Sequence, residues 1–273
     1  MRLRIGCSGW SYDDWRGPFY ARDAEPGRYL EAYARVFRFV EVDGTFYRAP
    51  TAADAERWVR ATPEGFLFSP KLPRAITHDA KLRQVDHAVD AFLEALTPVR
   101  RAGKLGPCVL QLPPSFKFDV DLDALREFLS EWPSSVLLTV ELRHASWWRD
   151  ETYDALRERG AILCWSLNEY GRTPYVRTAD AVYARLIGDR ALDANGGRWD
   201  TVQRDMWPEV ERLREELARV RGIASDAFVI ANNHFMGFAP ASCQQVAQAL
   251  GEPAFDLAAA ARVRGQRGLA DFG

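Results

Sequence analysis

The chain has 273 residues, 47% of them hydrophobic, with 36 Lys and Arg against 38 Asp and Glu for a formal net charge of -2. That hydrophobic fraction supports a sizeable core and argues against a disordered chain. The slightly acidic balance (pI about 6.1) gives no global pull toward nucleic acid or an anionic membrane. It disfavours nucleic acid as a partner while leaving room for a local basic patch. No run of about 18 apolar residues is present, and the first five residues contain no apolar signal region. Cys7, Cys108, Cys164 and Cys243 are far apart, form no CxxC pair, and read as buried free thiols of a reduced, cytoplasmic protein.

Short runs rich in Val, Ile, Leu and Phe predict strands at 3–7, 38–43, 66–71, 107–112, 136–141, 161–166, 181–187 and 227–232. Amphipathic stretches lie between them. Tyr29, Leu30, Tyr33 and Phe37 recur at helical spacing in 27–37, and Val85, Val89, Phe92, Leu93 and Leu96 in 85–100. Leu122, Leu125, Phe128 and Leu129 form one face of 119–132, where Asp121 or Asp123 could cap, and 204–221 repeats the pattern with Val210, Leu213 and Leu217. Eight strands alternating with helices imply parallel strands with right-handed crossovers. The count favours a single closed (β/α)8 TIM-type barrel, an α/β fold of about 250 residues, with 1–273 as one domain. The long polar segments 167–180 and 188–204 read as loops over the barrel mouth.

Polar and aromatic residues cluster where each strand hands over to a loop, as in Gly6-Cys7-Ser8-Gly9-Trp10, Glu41-Val42-Asp43, Ser69-Pro70-Lys71, Gln111-Leu112-Pro113-Pro114, Glu141-Leu142-Arg143-His144 and Asn232-Asn233-His234. A barrel builds its active site from such strand ends. Side chains alternate along a strand, so Glu41 and Asp43 share a face, as do Ser69 and Lys71, and Thr139, Glu141 and Arg143. If Val40, Val42, Val140 and Leu142 face the helices, these charges face the axis, where they need partners. Glu141 with Arg143 or Lys71, and Glu41 with Arg185, are the expected pairs, although such pairs can also simply fill a barrel axis.

The ordered motifs resemble those of the YecE-like family, catalogued as domain of unknown function 72. They are Gly6–Tyr12 with Gly17-Pro18-Phe19-Tyr20, Glu41–Arg48, Phe68–Lys71 with Ile76-Thr77-His78, Gly106–Phe116, Val140–His144 with Ser146-Trp147, and Asn232-Asn233-His234 with Gly237-Phe238-Ala239-Pro240. The resemblance covers nearly the whole chain. It implies a TIM-type barrel and assigns no reaction. Two departures stand out. Ile187 occupies the place of a His that many members carry at the end of strand seven, and Asn168 ends strand six where many have Asp. Both suggest a subgroup with altered chemistry.

Glu141, Glu41 and His78 are the candidate catalytic residues, and Lys71, Arg143, Arg185, Asn233, Trp10, Tyr47 and Trp147 the candidate binding residues. Carboxylates and a His suit acid–base work; cations and aromatic rings suit a phosphate or carboxylate carried on a sugar or nucleotide-like ring. His78, His144 and His234 with the two Glu could in principle hold a metal, but no HxH or HExxH spacing supports one and no metal is assigned. No Walker loop or GxGxxG is present, and no cofactor is assigned. Cys7 has no evident base beside it. The expected function is a hydrolase or lyase acting on a phosphorylated or sugar-containing small molecule or nucleic-acid fragment. The alternative is a non-catalytic barrel that binds an anionic ligand. The sequence sets no oligomeric state.

Overall fold

A computed structural model describes residues 1–263; the expected domain span of 1–273 therefore ends with ten residues, 264–273, that lie outside the described part. The eight expected strands are present: β1 (Arg2–Ser8), β2 (Phe39–Val42), β3 (Leu67–Pro70), β4 (Cys108–Gln111), β5 (Leu138–Glu141), β6 (Ile162–Asn168), β7 (Ala181–Gly188) and β8 (Asp226–Ala231). Parallel ladders run through the order β3-β2-β1-β8-β7-β6-β5-β4. The circle closes between β3 and β4 through two isolated bridges, Phe68 with Leu105 and Lys71 with Val109. Proline explains why no continuous ladder forms there. Phe68 and Leu72 donate to Lys104 O and Val109 O, but Pro70 between them has no N–H. The carbonyl of Pro107 takes the hydroxyl of Ser69 instead.

Alternation along the strands sorts the side chains as expected. Val40, Val42, Val140 and Leu142 pack into the clusters under the helices. Phe39, Val109, Ile162, Cys164, Tyr183, Phe228 and Ile230 fill the barrel interior as an apolar plug, and filled layers are how such barrels avoid being pores. Above the plug lies a polar belt. Register places Ser8 beside Glu41, Glu41 beside Ser69, Gln111 beside Glu141, and Ser166 beside Arg185.

The anticipated helices are present with adjusted ends. The 27–37 stretch contains Tyr29–Ala34 after a 3-10 turn at Pro26–Arg28. The 85–100 stretch divides into Asp86–Ala95 and Thr97–Arg101 around Leu96, with Pro98 at the start of the second helix. The other two run Phe118–Glu131 and Trp207–Val220. Asp121 does serve the start of its helix, from inside: its carboxylate accepts the N–H of Lys117 at 2.7 Å. Helices Ala52–Arg60, Asp150–Glu158 and Ala239–Ala249 complete the outer layer. The first carries a reciprocal Thr51–Asp54 capping box. Among the described residues no helix is long and apolar enough to cross a membrane.

Candidate functional site

Arg185 on β7 crosses the barrel axis and organises the mouth. Only 2% of it is exposed. Its Nε and Nη2 donate to Glu41 on β2 at 2.9 and 2.7 Å, and its Nη1 donates to Gln111 Oε1 at 3.3 Å. Nη1 also bonds Glu141 on β5, across the barrel from β2. Glu41 further accepts from Tyr183 at 2.9 Å and Ser8 at 3.1 Å. Glu141 accepts Arg143 Nε at 2.8 Å, Asn168 Nδ2 at 3.0 Å and Ser166 Oγ at 3.3 Å. Both glutamates are fully buried. The strand-end motif pointed to Glu141 as a catalytic group of the mouth; the structure places it one layer deeper, with both carboxylate oxygens engaged. Burial pushes its carboxyl up, but Arg143 and Arg185 outweigh that and hold it well below the usual carboxylate range.

Over this buried set lies a cavity of about 570 Å³, lined by Lys71, Arg143, Asp43, His78, Tyr47 and Tyr170 among others. Lys71 Nζ is 3.7 Å from Asp43 Oδ1 and 4.3 Å from the centre of the Phe46 ring. Burial, helped by Arg185, pulls the lysine below its ordinary value against the pull of Asp43. Asp43 bonds Ser8. Its Oδ1 is buried without a hydrogen bond, between Lys71 and Arg185, the latter at 3.6 Å. Burial raises the Asp43 carboxyl, and the two cations more than reverse that. Three carboxylates (Glu41, Asp43, Glu141) thus face three cations (Lys71, Arg143, Arg185). Arg143 commits Nε to Glu141 and leaves Nη1 and Nη2 without a hydrogen-bond partner among the described residues, its guanidinium 5.5 Å over the Tyr170 ring.

His78 stands at the rim, Nδ1 2.8 Å from Thr77 Oγ1 and its ring edge-on to Phe46. Partial burial, with Lys71 and Arg143 nearby, pushes it down to about 4, so at neutral pH it is an uncharged hydrogen-bonding group. His144 caps the turn Ala145–Trp147, accepting the Ser146 N–H at 3.2 Å. His234 bonds Asn232 and Asp193, both at 2.9 Å. Cys7 is buried with its Sγ 3.6 Å from that of Cys243, and burial pushes its thiol up, the reverse of an activated nucleophile.

Three expected binding residues lie elsewhere. Trp147 is fully buried under the helices, stacked on Phe116 with its indole donating to Phe116 O at 2.8 Å. Asn233 points away from the mouth; its Oδ1 accepts from Trp15 at 3.3 Å and from the Ala239 N–H at 3.0 Å, joining the last strand end to the last helix. Trp10 lines a neighbouring cleft. Tyr47 remains at the mouth, 82% exposed. The loops 167–180 and 188–204 do cover the mouth, contributing Glu169, Tyr170, Asp189 and Arg190. Gly188 starts the second of them at φ +76°, and a Cβ there would lie 2.4 Å from His234 O, so only glycine lets these loops meet. Ile187 also lines the cavity. The sequence reading left out of its site Asp43, Gln111, Tyr170 and Asn168. Asp43 and Gln111 carried the strand-end signal that marked Lys71.

A (β/α)8 barrel with a charged pocket at the C-terminal ends of its strands is the class of protein that fold and site define. The chain belongs to the family described as protein of unknown function DUF72, whose model matches residues 4–265. It is similar to UPF0759 protein YunF of Bacillus subtilis, 26% identical over 269 residues that cover 91% of this chain and 94% of that one. UPF0759 protein YecE of Escherichia coli is 33% identical over 158 residues, covering 58% of this chain and 54% of that protein. Among solved structures, a DUF72 family protein of Thermotoga maritima superposes with a TM-score of 0.76 at 28% identity, over 92% of this chain and 100% of that one. One from Enterococcus faecalis gives 0.72 at 22% over 92% and 96%, a likeness of fold.

Proposed function

We propose that the protein is an enzyme of hydrolase or lyase type, acting on a small anionic molecule such as a phosphorylated or acidic sugar, with Lys71 and Asp43 as its proton-moving pair. One observation carries the reading: the six charges at the strand ends divide into two groups. Arg185, Glu41 and Glu141 are tied to one another and to neighbouring strand residues by hydrogen bonds. Lys71 Nζ has an ion contact to Asp43 and sits over the Phe46 ring but has no hydrogen bond among the described residues, and Arg143 keeps two nitrogens for the cavity. In its deprotonated form the Lys71 amine takes a proton from substrate or from attacking water, and Asp43 stabilises the ammonium that results. Arg143, with Arg74 and Arg190 at the rim, holds the anionic group. Glu41 and Glu141 become positioning residues that fix Arg185 and Arg143. Four free, buried cysteines fit a reducing, cytoplasmic setting.

The test is a turnover screen over sugar phosphates, aldonates and nucleoside monophosphates, followed by Asp43→Asn on whichever substrate responds. Losing the carboxylate removes what favours the Lys71 ammonium. The ascending limb of the pH–rate profile, expected below the ordinary lysine value of 10.5, should then move to lower pH while turnover falls roughly tenfold to a hundredfold. An unmoved limb would remove Lys71 from the base role.

A further inference from the structure

A second cleft of about 470 Å³ adjoins the mouth, and Tyr12 and Asp43 line both. Its character differs. Trp10 and Trp58 meet at 82° with ring centres 6.1 Å apart, forming a corner. Both indoles are half-buried, and neither N–H has a partner among the described residues. Arg48 and Arg57 close the far side, held on Asp54. Trp58 is also stacked on Phe68, so its position is fixed by the core. Gly9, at φ +81°, turns the chain out of β1 and sends Trp10 here instead of into the mouth.

We infer that this cleft is a second subsite, and that it takes the neutral sugar ring of a glycoside whose acidic or phosphorylated sugar sits in the mouth. The inference rests on the mouth being an anion site, as argued above. A perpendicular corner gives one aromatic face and one aromatic edge, with indole N–H donors at its margin. That suits a ring with an apolar C–H face and a rim of hydroxyls. A flat base would instead be served by an open face or a parallel slot. A cavity of this size has room for a sugar ring. Asp43 stands where the two clefts meet, so a substrate spanning both has its linkage beside Asp43 and Lys71.

Titration of intrinsic tryptophan fluorescence separates the two subsites. Trehalose 6-phosphate or sucrose 6-phosphate should bind at least about tenfold more tightly than glucose 6-phosphate, and Trp10→Ala or Trp58→Ala should cut that ratio to about threefold or less. The wild-type ratio needs no variant to fold. Equal affinity of the one-ring and two-ring phosphates overturns the second subsite while leaving the mouth intact. A tenfold gain of AMP over ribose 5-phosphate, with none for the disaccharides, assigns the cleft to a base and also overturns it. Failure of glucose 6-phosphate and inorganic phosphate alike to bind at millimolar concentration brings down the anion site itself, and the cleft proposal with it.

Discussion

Glu141→Gln should lower the melting temperature by about 10 °C, corresponding to roughly 3–5 kcal/mol for leaving a buried charge without its partner. Glu141 has no exposed surface. It receives Arg143, Asn168, Ser166 and Arg185. The substitution withdraws one negative charge from beneath two guanidinium groups and turns an acceptor into a donor facing them. The effect also has a signature in pH. Because the folded carboxyl lies below the ordinary glutamate value of 4.5, the unfolded chain binds more protons as pH falls through that value. The ionised carboxylate therefore contributes its full stabilisation above about pH 4.5 and loses it below. The gap in stability between wild type and variant should narrow on acidification. An unchanged melting temperature would return Glu141 to the role of an exposed acid or base.

Lys71→Met should behave in the opposite way. Nζ makes an ion contact to Asp43 and sits over Phe46 without a hydrogen bond among the described residues, so its removal deletes no strong hydrogen bond, and the methionine fills much of the same space over Phe46. Lys71 is held below its ordinary value, so the folded protein disfavours the ammonium, and at neutral pH the charge works against stability. Its loss is partly offset by the weaker support left for Asp43. The melting temperature should shift by no more than about 3 °C in either direction, equivalent to about 1 kcal/mol. Turnover should fall by about a thousandfold, in the middle of the range that a single general base supplies. Thermal unfolding beside a single-substrate rate measurement reads both. A variant that melts early yet keeps its rate would make Lys71 part of the scaffold and leave the mouth without a base.

Strand positions and the inward faces of Glu41, Lys71, Glu141 and Arg185 were legible because a two-residue period and flanking prolines and glycines are local properties of the chain. Depth was not legible. The pairing of Glu41 with Arg185 was expected, but that Arg185 also reaches Glu141 and that the three lie one layer below the mouth follows only from the hydrogen bonds between distant strands. Residues just past a strand end were harder still. Asn233 and Trp147 follow the ends of their strands, Ala231 and Glu141, within the next turn of chain, and their side chains turn toward the helices because Trp15, Ala239 and Phe116 offer partners there. Those partners are distant in sequence for Asn233 and Trp15, and no local pattern announces them. Trp10 left the mouth through the conformation of a single glycine, Gly9.

The proline-interrupted seam between β3 and β4 gives this barrel a preferred place to breathe. Seven of the eight strand junctions are ladders, whereas this one depends on a few separated rungs and the hydroxyl of Ser69. Amide deuteration should accordingly enter first at Phe68, Leu72 and Gly106, whose N–H groups close the seam, ahead of the amides shared by β1 and β8. Lys71 sits on that seam. Lys71 directly follows β3, one of the two strands that border this junction and have a full ladder on one side only. A protein that must let a bulky molecule settle against a buried amine would find its compliance there, at little expense to the rest of the cylinder.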